Sequence, residues 1–521
     1  MTAFSLTHGL HRAARLTPKR LATVCLDRRR TYEEHLSRVA RLAGALQAMG
    51  VAHGDRVGML AQNSDRYLEY YFGVWWAGAV VNAVNTRWSA AEVAYSFEDC
   101  GTGVLLVDDA FAPMVAELRK QSKALKTVIY TGDGATPAGM LSYEKLLADA
   151  QPAEDAGRSG DDVAGVFYTG GTTGFPKGVM LTHENLCSCA MTGLAEGLVK
   201  DDSIALHAAP MFHLADGALT TMVTLRGGTH VVAPVFKPEL ILKTLADEGI
   251  ETALLVPTMI QMLVDHPGIG DYKLDKLEQL MYGASPISEA LLDRAMAKLP
   301  GVAFSQVYGM TEVSAIGTVL PARFHTAEGR KLGKLRSAGR PTFNMQIKIV
   351  DAEDKEVPRG TVGEIALRGP GVMKGYWNQP EQSATALRGG WMHSGDGAYM
   401  DEDGFVFIVD RLKDMIVTGG ENVYSAEVEN AISRHPAVAM SAVIGIPSDQ
   451  WGEAVHAVIV LKAGQQANAD DIKAHCKTLV AGYKCPRSID FRDALPISGA
   501  GKILKNKLRE PFWEGHERKV G

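Results

Sequence analysis

Apolar residues recur along this chain at helical and strand periods that alternate for most of its length, a pattern that predicts an α/β fold. Thr31 and Glu34 form a capping box, in which each side chain satisfies the other's backbone amide. Behind it Leu36, Val39, Ala40, Ala43 and Leu46 share one helical face, and Gly50 marks the stop. Ser89 and Glu92 repeat the device ahead of Val93 and Phe97. Short apolar runs at 56–60, 104–107, 127–130, 254–256 and 279–282 have the content of buried strands in a largely parallel sheet. From Met345 the runs MQIKIVD, GEIALRG and FVFIVD crowd together, which predicts a small β-subdomain closing a large domain of mixed parallel sheets and helices.

After Asp410 a compact pattern begins. Ser425 is placed to cap a helix carrying Val428, Ala431 and Ile432. The strands VAMSAVIGI and AVHAVIVLK follow, then a helix from about Asp470 to Val480 and a basic tail. That is enough chain for a small α+β domain of its own. The expected division is 1–412 and 413–521, with the boundary near Lys413. The polar stretch 149–162 reads as a surface linker.

Length agrees: 521 residues exceed one ordinary core, so two or three domains are expected. A net charge of −6 gives no global basic field, so neither nucleic acid nor an anionic membrane is expected as a partner. The most apolar stretch, 70–81, is shorter than the roughly 20 residues a membrane span needs. The N-terminus lacks the apolar core of a secretory signal. Cys25, Cys100, Cys187, Cys189, Cys476 and Cys485 follow no disulfide frame, which suits a reducing compartment. Cys187 and Cys189 lack a second pair at zinc spacing and read as small helical side chains. A cytoplasmic enzyme with no integral membrane association is the expectation; a homodimer is allowed but not indicated.

The densest chemical signal runs from Tyr168 to Gly178: Thr169, Gly170, Gly171, Thr172, Thr173, Gly174, Phe175, Pro176 and Lys177. Glycines let backbone amides approach a polyphosphate, threonines add hydroxyl donors and Lys177 adds a point charge. It is not a Walker A loop, because Pro176 precedes the lysine and Gly178 follows it. A plain turn between a strand and a helix at 182–185 is the alternative.

This loop resembles the signature of the adenylate-forming superfamily, which contains acyl-CoA synthetases, peptide-synthetase adenylation domains and firefly-type luciferases. Gly170 stands where the family usually has Ser. Further segments resemble the family's motifs in the family's order. Gly283, Ala284 and Ser285 resemble the loop beside adenine. Tyr308, Gly309, Met310, Thr311 and Glu312 resemble the next motif. The resemblance implies Tyr308 on adenine, Thr311 on the α-phosphate and Glu312, with Thr169, on Mg²⁺. It assigns Asp396 and Arg411 to the ribose, Lys413 to a hinge, and Gly419, Gly420, Glu421 and Asn422 to coenzyme A. Lys502 matches the C-terminal catalytic lysine, although Ile497 stands where a basic residue is usual. Singly each residue has a bland explanation; six ordered motifs do not.

The resemblance implies an AMP-forming ligase. ATP and a carboxylic acid give an acyl-adenylate and pyrophosphate, and a thiol, most simply that of coenzyme A, then takes the acyl group. His213, in Pro210–Gly217, resembles the entry to the acid pocket, with Val256, Pro257 and Met310 as weaker lining candidates. A medium- or long-chain fatty acid is the first expectation, with an aryl acid such as a hydroxycinnamate or benzoate as the alternative. An enzyme loading a carrier protein, a luciferase-like oxygenase and a decayed nucleotide sensor are the remaining readings.

Overall fold

A computed structural model describes residues 4–169, 176–285, 287–411, 414–499 and 501–514. Both capping boxes form. Thr31 caps the helix Tyr32–Ala48 and Ser89 caps Ala90–Cys100, each with its glutamate bonded back. The helices lie against a nine-stranded and an eight-stranded sheet, with a four-stranded sheet beside them. In the nine-stranded sheet Ile204–His207, Thr229–Val232, Thr252–Leu255, Gln279–Gly283 and Ala303–Tyr308 run parallel. Parallel strands bring their C-terminal ends to one edge, so the segments after His207, Leu255, Gly283 and Tyr308 emerge together. The expected α/β class is what forms.

The apolar stretch at 70–81 belongs to the core. Every residue of the helix Asp65–Trp76 is buried, with Tyr67, Tyr70, Tyr71 and Trp75 packed ring against ring. No helix among the described residues is long and apolar enough to cross a membrane. All six cysteines are free and buried, and burial pushes the Cys187 and Cys189 thiols up to about 12.

Several local expectations change. The strand expected at 254–256 is Thr252–Leu255, and Val256 instead precedes the helix Pro257–Val264, whose proline suits its first turn. The segment from 168 to 178 does not join a strand to a helix. Val163–Thr169 and Lys177–Thr182 form an antiparallel hairpin, with Thr169 opposite Lys177. The stretch 149–162 is exposed or half-buried throughout, as read for a surface linker, but it is tied down. Its backbone amides at Ala153 and Ala156 bond Ala40 O and Trp76 O, at 2.9 Å each. Ser425 does not cap its helix but is the first residue of Ser425–Ser433, where its hydroxyl accepts from Lys505. The later helix, expected from about Asp470 to Val480, is Ala469–Lys477 and is set by an Asn468 capping box.

Beyond Asp414 a five-stranded sheet carries its own core of Ile416, Val428, Ile432, Val443, Val455 and Ile472. The helix Lys505–Trp513 packs on it through Leu508.

Candidate active site

Tyr308 ends its strand at the shared edge, and its hydroxyl donates to Asp396 Oδ2 at 2.8 Å. Asp396 pairs across the four-stranded sheet with Arg411, whose Nε lies 3.4 Å from Asp396 Oδ1. Backbone crowding explains the neighbouring glycines. A Cβ on Gly283 would fall 2.1 Å from Val307 O, and one on Gly309 would fall 2.1 Å from Ala315 O. Ala284 is held at a φ of 64°, a left-handed turn that leaves it and Ser285 half-buried at the strand end.

Thr311 and Glu312 lie on the short turn Thr311–Val313. Glu312 is buried and accepts the Tyr376 hydroxyl at 3.0 Å. Burial pushes its carboxyl above the ordinary range, against the pull of Tyr376, Lys502 and Arg411. Lys177 Nζ stands 5.1 Å from the centre of the Tyr376 ring, so Tyr376 links the hairpin to the carboxylate. Sequence reading missed Tyr376, because nothing in its neighbourhood distinguishes it from a core aromatic.

Lys502 reaches this cluster from the far end of the chain. Its loop is closed by Ser498 N to Lys502 O at 2.7 Å and Lys502 N to Ser498 Oγ at 3.1 Å. The loop is docked. Arg87 Nη1 donates to Ile497 O at 3.1 Å, and a Cβ on Gly499 would meet Asn85 and the Phe212 ring at 2.7 and 3.1 Å. One on Gly501 would meet Val256 at 2.8 Å. Burial pushes the Lys502 amine below the ordinary lysine range; the Arg411 charge adds to this, and Asp396 and Glu312 oppose it. Loss of the Arg87 bond by Arg87→Ala should lower adenylation roughly three- to tenfold, measured as acid-dependent pyrophosphate release at saturating ATP.

His213 is half-buried at the start of the helix Leu214–Arg226, where its Nδ1 accepts Ala215 N at 3.3 Å. Burial, then the charge of Lys502, push its imidazole down to about 4, so it is neutral at physiological pH. Ala215 is half-buried beside it. Val256 is buried against the lysine loop, Pro257 opens the next helix and Met310 is half-buried before the Glu312 turn.

The structure therefore brings Lys177, Tyr308, Glu312, Asp396, Arg411, Lys502 and His213 into one region. Gly419, Gly420, Glu421 and Asn422 sit elsewhere, on the hairpin of Ile416–Thr418 and Glu421–Val423. Gly419 and Gly420 take φ of 61° and 86° there, and Glu421 and Asn422 are exposed. Gly170, Gly171, Thr172, Thr173, Gly174 and Lys413 lie outside the described residues.

A lysine-bearing loop set beside an aromatic, a carboxylate and a buried glutamate suits a nucleotide-using ligase. The AMP-binding enzyme profile matches residues 10–377, and the profile of the AMP-binding enzyme C-terminal domain matches 427–502. The chain belongs to the AMP-binding enzyme family and is an enzyme of its acyl-CoA ligase type. It is 41% identical over 502 residues to a feruloyl-CoA synthase of an Amycolatopsis species, covering 96% of this chain and 98% of that protein. It is 38% identical over 510 residues to the fatty acid–[acyl-carrier-protein] ligase ScoC of Streptomyces coeruleorubidus, covering 96% and 95%. Among solved structures, the anthranilate CoA ligase AuaEII in complex with anthranoyl-AMP superposes with a TM-score of 0.91 at 27% identity, covering 99% and 98%.

Proposed function

We propose that the protein is an AMP-forming carboxylic acid–CoA ligase whose acid is a medium- or long-chain fatty acid. The observation that carries the ligase chemistry is the placement of Lys502 against Asp396, Arg411, Glu312 and His213 from a loop more than eighty residues away in sequence from the nearest of them. In this reading Tyr308 and the 283–285 turn hold adenine, and Asp396 and Arg411 hold the ribose. Thr311 meets the α-phosphate, and the 168–178 segment holds the leaving pyrophosphate. Charge crowds on one phosphorus as the carboxylate attacks, so the work is positioning and neutralisation. Lys502 supplies that positive charge to the bridging and carboxylate oxygens.

Glu312 fits Mg²⁺, and Thr169 is the second proposed ligand. A carboxylate that burial pushes toward its neutral form gains from a nearby hard cation, and Mg²⁺ commonly takes one carboxylate and completes its shell with phosphate oxygens and water. When bound, the ion would neutralise phosphate oxygens. Coenzyme A is the proposed acceptor, with 419–422 as its proposed contact once the small domain, 413–521, turns about Lys413.

The apolar packing on the helix that His213 opens favours an apolar acid. Leu219, Met222, Met281 and Ile316 form one buried apolar cluster with Ala315 packed against it, and its methionines are side chains that adapt to an alkyl chain. The aryl reading is kept because the feruloyl-CoA synthase is 41% identical across the chain. Acid-dependent AMP release across octanoate, palmitate, ferulate and benzoate, with and without coenzyme A, tests the whole. The expected result is release that needs acid, rises with coenzyme A and is strongest with a fatty acid. Preference for ferulate would replace the fatty reading by the aryl one. Release that no acid elicits would overturn the ligase.

A further inference from the structure

The strand Ile204–His207 and the helix Leu214–Arg226 are joined by the segment 208–213, which carries Phe212 and His213 to the lysine loop. This segment forms no helix or strand of its own and is held from outside. Asn63 Nδ2 donates to Ala209 O and Asn63 Oδ1 accepts Met211 N, each at 2.8 Å, while the Tyr71 hydroxyl donates to Met211 O at 2.7 Å. Its two ends are also tied to each other. His207 Nδ1 and Asp216 Oδ1 are 2.8 Å apart, and the two residues are 0% and 1% exposed. Behind them the chain continues from His207 Nε2 to His230 Nδ1 at 2.9 Å, and from His230 Nε2 to Thr224 Oγ1 at 3.0 Å. Asp216 and Thr224 are eight residues apart, so both lie on the face of their helix turned to these strands.

A buried carboxylate and imidazole are a costly way to fill a core that an apolar pair would fill as well. Their bond does what an apolar pair would not: it has one length and one direction, and it fixes where the segment leaves the sheet and where the helix begins. We propose that Asp216 and His207 are positioning residues for adenylation, a buried clasp that sets the 208–213 segment so that Phe212 receives the lysine loop and His213 faces the acid. The assignment rests on the ligase reading above. Neither side chain touches substrate in this scheme; both act through Phe212 and His213.

Asp216→Ala is expected to raise the KM for the acid roughly tenfold and lower acid-dependent pyrophosphate exchange roughly 10- to 100-fold, because small displacements near reacting groups are costly. The KM for ATP, and thioester formation from a supplied acyl-adenylate, should stay within about twofold. Asp216→Asn keeps an oxygen for His207 Nδ1–H and should recover activity to within about threefold of the parent. Hydrogen exchange at the amides of 209–217 should quicken about tenfold in the alanine variant, with the strand Gln279–Gly283 unchanged. Thr224→Val, at the far end of the same chain, should lower Tm without moving the KM for the acid. Equal loss in both half-reactions, or unchanged protection at 209–217 in Asp216→Ala, would overturn the clasp; if the alanine variant does not fold, an unchanged KM for the acid and unchanged protection in His207→Gln would do the same. A parent enzyme that exchanges no pyrophosphate with any acid would remove the ligase reading instead, and the exchange measurement would still decide whether the segment is clasped.

Discussion

Lys502→Ala should slow acid-dependent pyrophosphate release on the order of 10²–10⁴-fold and leave thioester formation from a supplied acyl-adenylate largely intact. Lys502 is held among Asp396, Glu312 and Arg411, in position to meet charge that develops only while pyrophosphate leaves. Once the adenylate exists, that charge has gone and the lysine has nothing further to neutralise. A second readout follows from its environment. Burial and Arg411 push the amine below the ordinary lysine range, so the charged, active form should be lost at lower pH than a solvent-exposed lysine would lose it. The alkaline limb of adenylation should therefore fall below that range and be absent from the residual rate of Lys502→Ala. The sign for stability is opposite. A lowered amine pKa means the folded state binds fewer protons than the unfolded chain, so the cost of burying the charge is present at low pH and eases as pH rises through the folded value. Lys502→Ala should thus match or exceed the parent in Tm at neutral pH. Equal slowing of both half-reactions would show that the lysine serves the fold or the thiol step, and the adenylation assignment would go with it.

What the sequence made legible was set by how local the physics is. The capping boxes at Thr31 and Ser89 need only residues a turn apart, and both form as read. The parallel strands were visible because their burial on both faces leaves continuous apolar runs. Boundaries shifted where a neighbour in space decided the matter. Ser425 looks like a cap, but Lys505, eighty residues on, takes its hydroxyl, and the strand at 254–256 ends early because Pro257 starts a helix. The strand Lys177–Thr182 went unread, and the turn alternative ran straight from a strand to a helix, because Lys177–Thr182 has to be seen paired with Val163–Thr169 to be recognised as a strand.

The site divides the same way. Tyr308, Glu312, Asp396, Arg411 and Lys502 stood out through ordered motifs, although no local rule says that they meet. Tyr376 and Arg87 did not stand out, because each acts through a contact with a partner more than sixty residues away: a glutamate and a backbone carbonyl. The tyrosine bond to Asp396 also refines an expectation. The ring assigned to adenine is fixed in its plane by the carboxylate assigned to the ribose, so the two halves of the nucleoside site are built as one unit.

Glu312→Gln should lower adenylation roughly 10²–10³-fold and weaken its dependence on Mg²⁺, while leaving the fold as stable as the parent or more so. The two halves of this expectation have one cause. Glu312 is buried, and burial pushes its carboxyl up despite the Tyr376 hydroxyl and the nearby positive charges. A raised carboxyl means that the folded state binds protons more readily than the unfolded chain, so stability falls as pH rises through the folded value and is recovered below it. A glutamine carries no charge to desolvate and keeps an oxygen for Tyr376, so it removes the cost and keeps the bond. What it cannot do is hold a hard cation against phosphate oxygens. Thermal unfolding without ligands, run beside pyrophosphate release titrated with Mg²⁺, separates the two effects. A variant that loses Tm and activity together would make Glu312 a structural residue, and one that keeps its activity and its Mg²⁺ response would remove the carboxylate from the reaction.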